Sequence, residues 1–136
     1  MTRQCEIMIL DDELVVCERL QACFQRDGHQ VEFFVDPAEA IKRLEEKTFD
    51  IVVSDLRMGE INGLQVLDHV LAVSPRTKVI LITGYATLEV ARGSLTKGAF
   101  DFIAKPFKLG EIRKTIKKAA EASAPPAERG IVEARG

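Results

Sequence analysis

The chain has 136 residues, of which 46 % are hydrophobic and 29 % charged, with a net charge of −2. That length has room for one domain with a proper core and hardly for two, and the composition is that of an ordinary globular protein. The near-neutral balance gives no general electrostatic reason to expect nucleic acid or an anionic membrane as partner.

No apolar run reaches the roughly 18 residues of a membrane helix. Met1 is not followed by the apolar stretch of a signal peptide, so a cytoplasmic location is expected. The three cysteines, Cys5, Cys17 and Cys23, are odd in number and lack C-x-x-C spacing. They are expected to be reduced thiols packed as small hydrophobes, with no metal or redox role.

Taken in chain order, the first strand is expected over residues 5–10, where Ile7, Met8, Ile9 and Leu10 are apolar without alternation, as in strands covered on both faces. It ends in Asp11-Asp12. Leu14, Cys17, Leu20 and Phe24 then follow at helical spacing up to the Asp27-Gly28 turn. A second strand is expected over 29–35, and Asp36-Pro37 reads as a helix start, with Asp as N-cap and Pro at the first helical position. The third strand, 50–54, runs into Asp55, and beyond Gly59 the residues Leu64, Leu67 and Leu71 line a helix face that stops before Ser74-Pro75. The fourth strand, 78–83, ends in Thr83 with Gly84 behind it; the fifth, 100–104, follows Gly98 and ends at Lys105. Leu109, Ile112 and Ile116 mark the last helix. From about Ser123 the pattern fails, so residues 1–122 are expected to form the domain and 123–136 a mobile tail or linker stub.

Five β-α units in succession predict an α/β fold, a five-stranded parallel sheet with helices on both faces. In such a sheet the ligand site lies beyond the carboxyl ends of the strands, where the strand order reverses. The residues ending four of the five strands are Asp11-Asp12, Asp55, Thr83 and Lys105. In a flavodoxin-like order, 2-1-3-4-5, the first and third strands are neighbours and three carboxylates converge. Two unit charges about 4 Å apart repel by about 4 kcal/mol at an effective dielectric near 20. Such a cluster holds a proton or a cation, and oxygen ligands without His or Cys point to a hard ion such as Mg²⁺. Thr83 and Lys105 suit an incoming phosphoryl group, with Asp55 as nucleophile. Taken singly each residue has a plainer explanation: a capping Asp pair, a strand-end hydroxyl, a solvated lysine. Their joint placement at strand ends is what points to the chemistry.

Over about residues 5–121 the chain resembles two-component response-regulator receiver domains, with the flavour of those attached to NtrC-type activators. The matching stretches are Ile9-Leu10-Asp11-Asp12-Glu13, Ser54-Asp55-Leu56-Arg57-Met58 with Gly63 beyond, Ile82-Thr83-Gly84-Tyr85, and the run from Gly98 through Lys105-Pro106-Phe107. The resemblance implies that Asp55 is the phosphoacceptor, served by a sensor histidine kinase. It implies direct Mg²⁺ ligation by Asp12 and Asp55, a water-mediated contact from Asp11, and a further oxygen from the backbone carbonyl of Arg57. Thr83 would bind the phosphoryl group, Lys105 would bridge to it, and Phe102 would be the switch aromatic. The Lys105-Pro106 bond resembles one that is cis in the family. The responsive face would comprise residues 88–97 and 101–118, open to a homodimer partner or to an output domain controlling transcription. One departure is Gly59, where the family usually has Pro, which loosens a backbone that Pro would fix.

Other readings are weaker. Gly93-Ser94-Leu95-Thr96-Lys97-Gly98 is followed by Ala99-Phe100 rather than Lys-Ser/Thr, so a Walker-type phosphate loop is excluded. An aspartyl-phosphate phosphatase would carry D-x-D-x-T/V after the first strand, and Asp11-Asp12-Glu13-Leu14-Val15 departs from it. A pseudo-receiver, a binding module that takes no phosphate, would have an eroded site. The expectation is therefore a phosphoacceptor rather than an enzyme acting on an external substrate. His29 and His69 are expected at the surface, and Arg113, Lys114, Lys117 and Lys118 on a solvated helix face without nucleic-acid contact.

Overall fold

The computed structural model describes residues 3–57, 62–84 and 87–123. Five strands alternate with five helices: β1 Glu6–Leu10, α1 Leu14–Arg26, β2 Gln30–Phe34, α2 Pro37–Glu46, β3 Ile51–Asp55, α3 Gly63–Val73, β4 Lys78–Thr83, α4 Leu88–Thr96, β5 Asp101–Ala104 and α5 Leu109–Ala122. All strand pairings are parallel, in the order β2-β1-β3-β4-β5. The predicted strands are thus observed, β4 with the expected bounds and the other four shifted by one residue at one or both ends. The expected tail lies outside the described residues from 124 onward, as does Gly59.

Strand residues alternate between two cores, because successive side chains leave opposite faces of a sheet. Ile7, Ile9, Ile51, Val53, Ile80, Ile82 and Ile103 join Leu20 and Phe24 of α1 and Ile112 and Ile116 of α5. Met8, Leu10, Val52, Val79 and Leu81 face the other way, onto Ala40 and Leu44 of α2 and Val66, Leu67 and Val70 of α3. Phe102 of β5 and Val90 of α4 pack at the edge of that second core. The three cysteines are free and buried, as expected.

Helix starts follow local chemistry. Asp36 Oδ1 accepts the Ala38 amide at 3.0 Å with Pro37 opening α2, as the dipeptide predicts. Asn62 and Gln65 form a reciprocal capping box at α3.

Three expectations are corrected. Leu14 is exposed, and the buried stripe of α1 starts a turn later with Cys17, Leu20, Cys23 and Phe24. In α3 the buried face is Gly63, Val66, Leu67 and Val70, while Leu64 and Leu71 are only partly covered. The histidines are less exposed than expected. His29 is buried and its Nδ1 accepts the Cys5 amide at 3.0 Å, which ties the loop after α1 to the start of β1. His69 is half-buried, and its Nε2 is covered and makes no hydrogen bond.

Candidate phosphoryl and cation site

Parallel strands in this order deliver their polar terminal residues to one rim. Asp11 follows β1 directly; its backbone N–H donates to Phe34 O at 3.1 Å, carrying the β1–β2 ladder one residue further and fixing where the side chain leaves. That side chain is fully buried, and its Oδ1 accepts the Glu13 amide at 2.9 Å. Asp55 is the last residue of β3 and is buried, and its Oδ1 accepts the Arg57 amide at 3.3 Å. Thr83, the last residue of β4, is also buried, and its carbonyl accepts the Lys105 amide at 2.7 Å. The Lys105-Pro106 peptide bond is cis, as the resemblance implies.

The Lys105 ammonium gathers these pieces. Its Nζ lies 2.7 Å from Asp11 Oδ2, 3.1 Å from Glu13 Oε1 and 3.3 Å from Asp55 Oδ2. Asp12 is exposed beside them, and carboxylate oxygens of Asp11, Asp12, Glu13 and Asp55 all lie within 4.8 Å of one another. Burial pushes the Asp11 carboxyl up to about 6, against the opposing pull of Lys105 and the Glu13 amide. Burial alone would lower the Lys105 ammonium, but Asp11, Asp55 and Glu13 outweigh it and hold the group above its ordinary value.

The donor set fits a hard divalent cation. Asp11, Asp12 and Asp55 offer only carboxylate oxygen, and Asp11 Oδ2 is a covered oxygen that meets Lys105 as an ion pair but accepts no aligned hydrogen bond. Such an oxygen is incompletely satisfied and has capacity for a cation or its water.

Gly63 sets the spacing beneath the site. Its amide donates to Leu56 O at 2.8 Å, and a Cβ there would stand 2.6 Å from Asp55 O and 2.8 Å from Leu56 Cα. Only glycine lets the start of α3 lie this close to the strand carrying Asp55.

Of the residues singled out from the sequence, Asp11, Asp12, Asp55, Thr83 and Lys105 come together at one rim. Phe102 lies on β5 on the α2/α3/α4 side of the sheet, half-buried. Arg57 is exposed just after Asp55. Glu13 was not singled out, although it is the third acidic residue of the run after β1 and the simplest sequence cue was that continuation.

A sequence profile of the response regulator receiver domain matches residues 7–117. The transcriptional regulatory protein ZraR of Escherichia coli strain K12 is 32 % identical over 114 residues, 84 % of this chain and 26 % of that protein. The response regulator protein PilR of Pseudomonas aeruginosa is 33 % identical over 135 residues, 99 % of this chain and 30 % of its own length. This chain therefore spans less than a third of these relatives. Among solved structures, the beryllofluoride-activated NtrC4 receiver domain dimer superposes with a TM-score of 0.83 at 30 % identity, covering 88 % of this chain and 98 % of that one. The profile match, the 2-1-3-4-5 sheet and the acidic rim agree: the chain belongs to the response regulator receiver domain family.

Proposed function

We propose that this domain receives a phosphoryl group on Asp55 from the phosphohistidine of a sensor histidine kinase in the cytoplasm, and that the modification changes the partner surface formed by α4, β5 and α5. The observation that carries this reading is the position of the buried Asp55 carboxylate, with Lys105 Nζ 3.3 Å from Oδ2 and Asp11 just beyond the end of the adjacent strand.

In this reading one Asp55 oxygen attacks phosphorus, and the bond from phosphorus to the donor atom breaks, its electron pair leaving with the donor. Lys105 turns its ammonium to an equatorial phosphoryl oxygen, and the Thr83 hydroxyl donates to another. Asp12, Asp55 and the Arg57 carbonyl, with Asp11 through water, would hold Mg²⁺, which when bound neutralises phosphoryl charge. Everything else is positioning by β1, β3, β4 and the loop after β5.

ZraR and PilR are named as transcriptional or response regulators, and by that likeness the output is control of transcription through a domain beyond this one. The NtrC4 receiver was solved as a dimer, which supports phosphorylation-dependent pairing of receivers as one form of the response.

Incubation with Mg²⁺ and acetyl phosphate tests the reading. Intact mass should rise by one phosphoryl group in the wild-type protein and not in Asp55→Asn. Full labelling of the Asn variant would move the acceptor elsewhere.

A further inference from the structure

We propose that Glu13 is a positioning residue for phosphoryl transfer: it tethers Lys105 at the outer rim of the site and must release it before Lys105 can engage the phosphoryl group. The proposal rests on the reading of Asp55 as phosphoacceptor.

Glu13 stands at the N-cap of α1 with extended backbone, φ −94° and ψ 104°, yet its side chain caps no helix amide. It reaches away from the helix to Lys105, Oε1 to Nζ 3.1 Å. Its own amide is spent on Asp11 Oδ1, so the backbone is pinned to the site while the carboxylate swings over the mouth. An ammonium has three protons and no acceptor capacity. Here three carboxylates, those of Asp11, Glu13 and Asp55, surround it. It donates hydrogen bonds to Glu13 and Asp55 and holds Asp11 as an ion pair at 2.7 Å, so a phosphoryl oxygen competes with a carboxylate for its place beside the ammonium. Asp11 and Asp55 are buried at the base of the site, whereas the Glu13 side chain is 63 % exposed, the most screened of the three and the one whose carboxylate is most readily returned to water.

A contact present in the resting site and absent when the phosphoryl group arrives stabilises the ground state over the transition state, so removing it speeds transfer. An exposed ion pair corresponds to an acceleration of about two- to fivefold. In the transfer the Asp55 oxygen bonds to phosphorus, the leaving group departs with the electron pair of its own bond, and Lys105 keeps its proton throughout.

The variant is Glu13→Gln, which preserves shape, backbone bonding and fold but weakens the tether. Rates are measured by intact mass with two donors, acetyl phosphate and the less negatively charged phosphoramidate, and Mg²⁺ affinity by calorimetry. The expected result is the same two- to fivefold acceleration with both donors at unchanged Mg²⁺ affinity. Acceleration with acetyl phosphate alone would mean that Glu13 merely repels anionic donors, and would overturn the proposal. So would an unchanged or slower rate, or a tenfold loss of Mg²⁺ affinity, which would make Glu13 a metal ligand. Failure of the wild-type protein to label with either donor would instead overturn the phosphoacceptor reading itself.

Discussion

Lys105, just beyond the edge strand β5, reaches past the ends of β4 and β3 and sets its ammonium 2.7 Å from Asp11, just beyond β1. This contact joins strands that share no hydrogen bonds, and it closes over Asp55 on the way, 3.3 Å from its Oδ2. The same cation that would steady a phosphoryl group thus balances two buried carboxylates in the resting protein. One ammonium against two buried carboxylates leaves net negative charge at the base of the site.

Asp11 makes that balance measurable. Its carboxyl is raised from 3.8 to about 6 by burial, so the folded protein holds this proton more tightly than the unfolded chain. Stability from this group is fully present below about pH 4 and is lost as pH rises through 6. Asp11→Asn, which gives up the Lys105 ion pair but no longer buries a charge, should therefore raise the Tm of the metal-free protein at pH 7 and raise it much less at pH 4.5. Mg²⁺ should stabilise wild type at pH 7 and Asp12→Ala hardly at all, since that change removes a proposed direct ligand. Scanning calorimetry at both pH values, with and without Mg²⁺, checks both. Equal Tm gains at pH 4.5 and 7 would refute the account of Asp11.

Gly63 gives a steric prediction. In Gly63→Ala the new methyl meets backbone on two sides, Asp55 O and Leu56 Cα, and backbone cannot rotate out of the way. The cost should be about 1–3 kcal/mol, with slower phosphorylation because the strand end carrying Asp55 must shift. Denaturant titration and the labelling rate report the two effects. A variant as stable and as fast as wild type would mean that α3 slides away freely.

His29 predicts a loss of stability in mild acid. Burial lowers its pKa, with Asp27 and Asp50 opposing, and its Nδ1 must stay unprotonated to accept the Cys5 amide. A histidine whose folded pKa lies below its unfolded value binds its proton more readily when unfolded, so stability falls as pH drops below about 6.5. Asn presents an acceptor at the same place and does not titrate. The Tm of His29→Asn should therefore decline less than that of wild type between pH 7 and 5. Parallel decline would remove His29 from the cause.

The sheet and the acidic rim were legible in the sequence for one physical reason. Strands covered on both faces must be continuously apolar, so Ile7–Leu10, Ile51–Val53 and Val79–Ile82 stand out, and the polar residues that follow them, Asp11, Asp55 and Thr83, are the ones delivered to the rim. What escaped notice depended on long-range partners. The burial of His29 follows from a bond to an amide 24 residues away, and the tether of Glu13 from a lysine 92 residues away. In α3 apolar residues occupy most of the helix circumference, Leu64, Val66, Leu67, Val70, Leu71 and Val73, so spacing alone fits more than one buried face. Packing against β3 and β4 selects Val66, Leu67 and Val70.

A phosphoryl group would bring about 1.5–2 negative charges to a rim already crowded with carboxylates. Thr83, buried at the end of β4, is the hydroxyl placed to move toward it. Phe102 pairs with Leu81, two residues before Thr83, and is half-buried on the face it shares with Val90 of α4, so a shift of β4 and the chain beyond it opens space for the ring to turn inward. Converting a 1:99 population into 99:1 requires about 5.5 kcal/mol of preference for the active state. A buried charge-assisted hydrogen bond supplies about 1.5–3 kcal/mol, so the aromatic must repack with it rather than after it. Amide exchange with beryllofluoride and Mg²⁺ bound should change over residues 83–97 and around Phe102, with little change in β1 and β2. In Thr83→Ala the mimic should still bind while those changes largely vanish. Unaltered exchange there in the loaded wild-type protein would mean that this face does not switch.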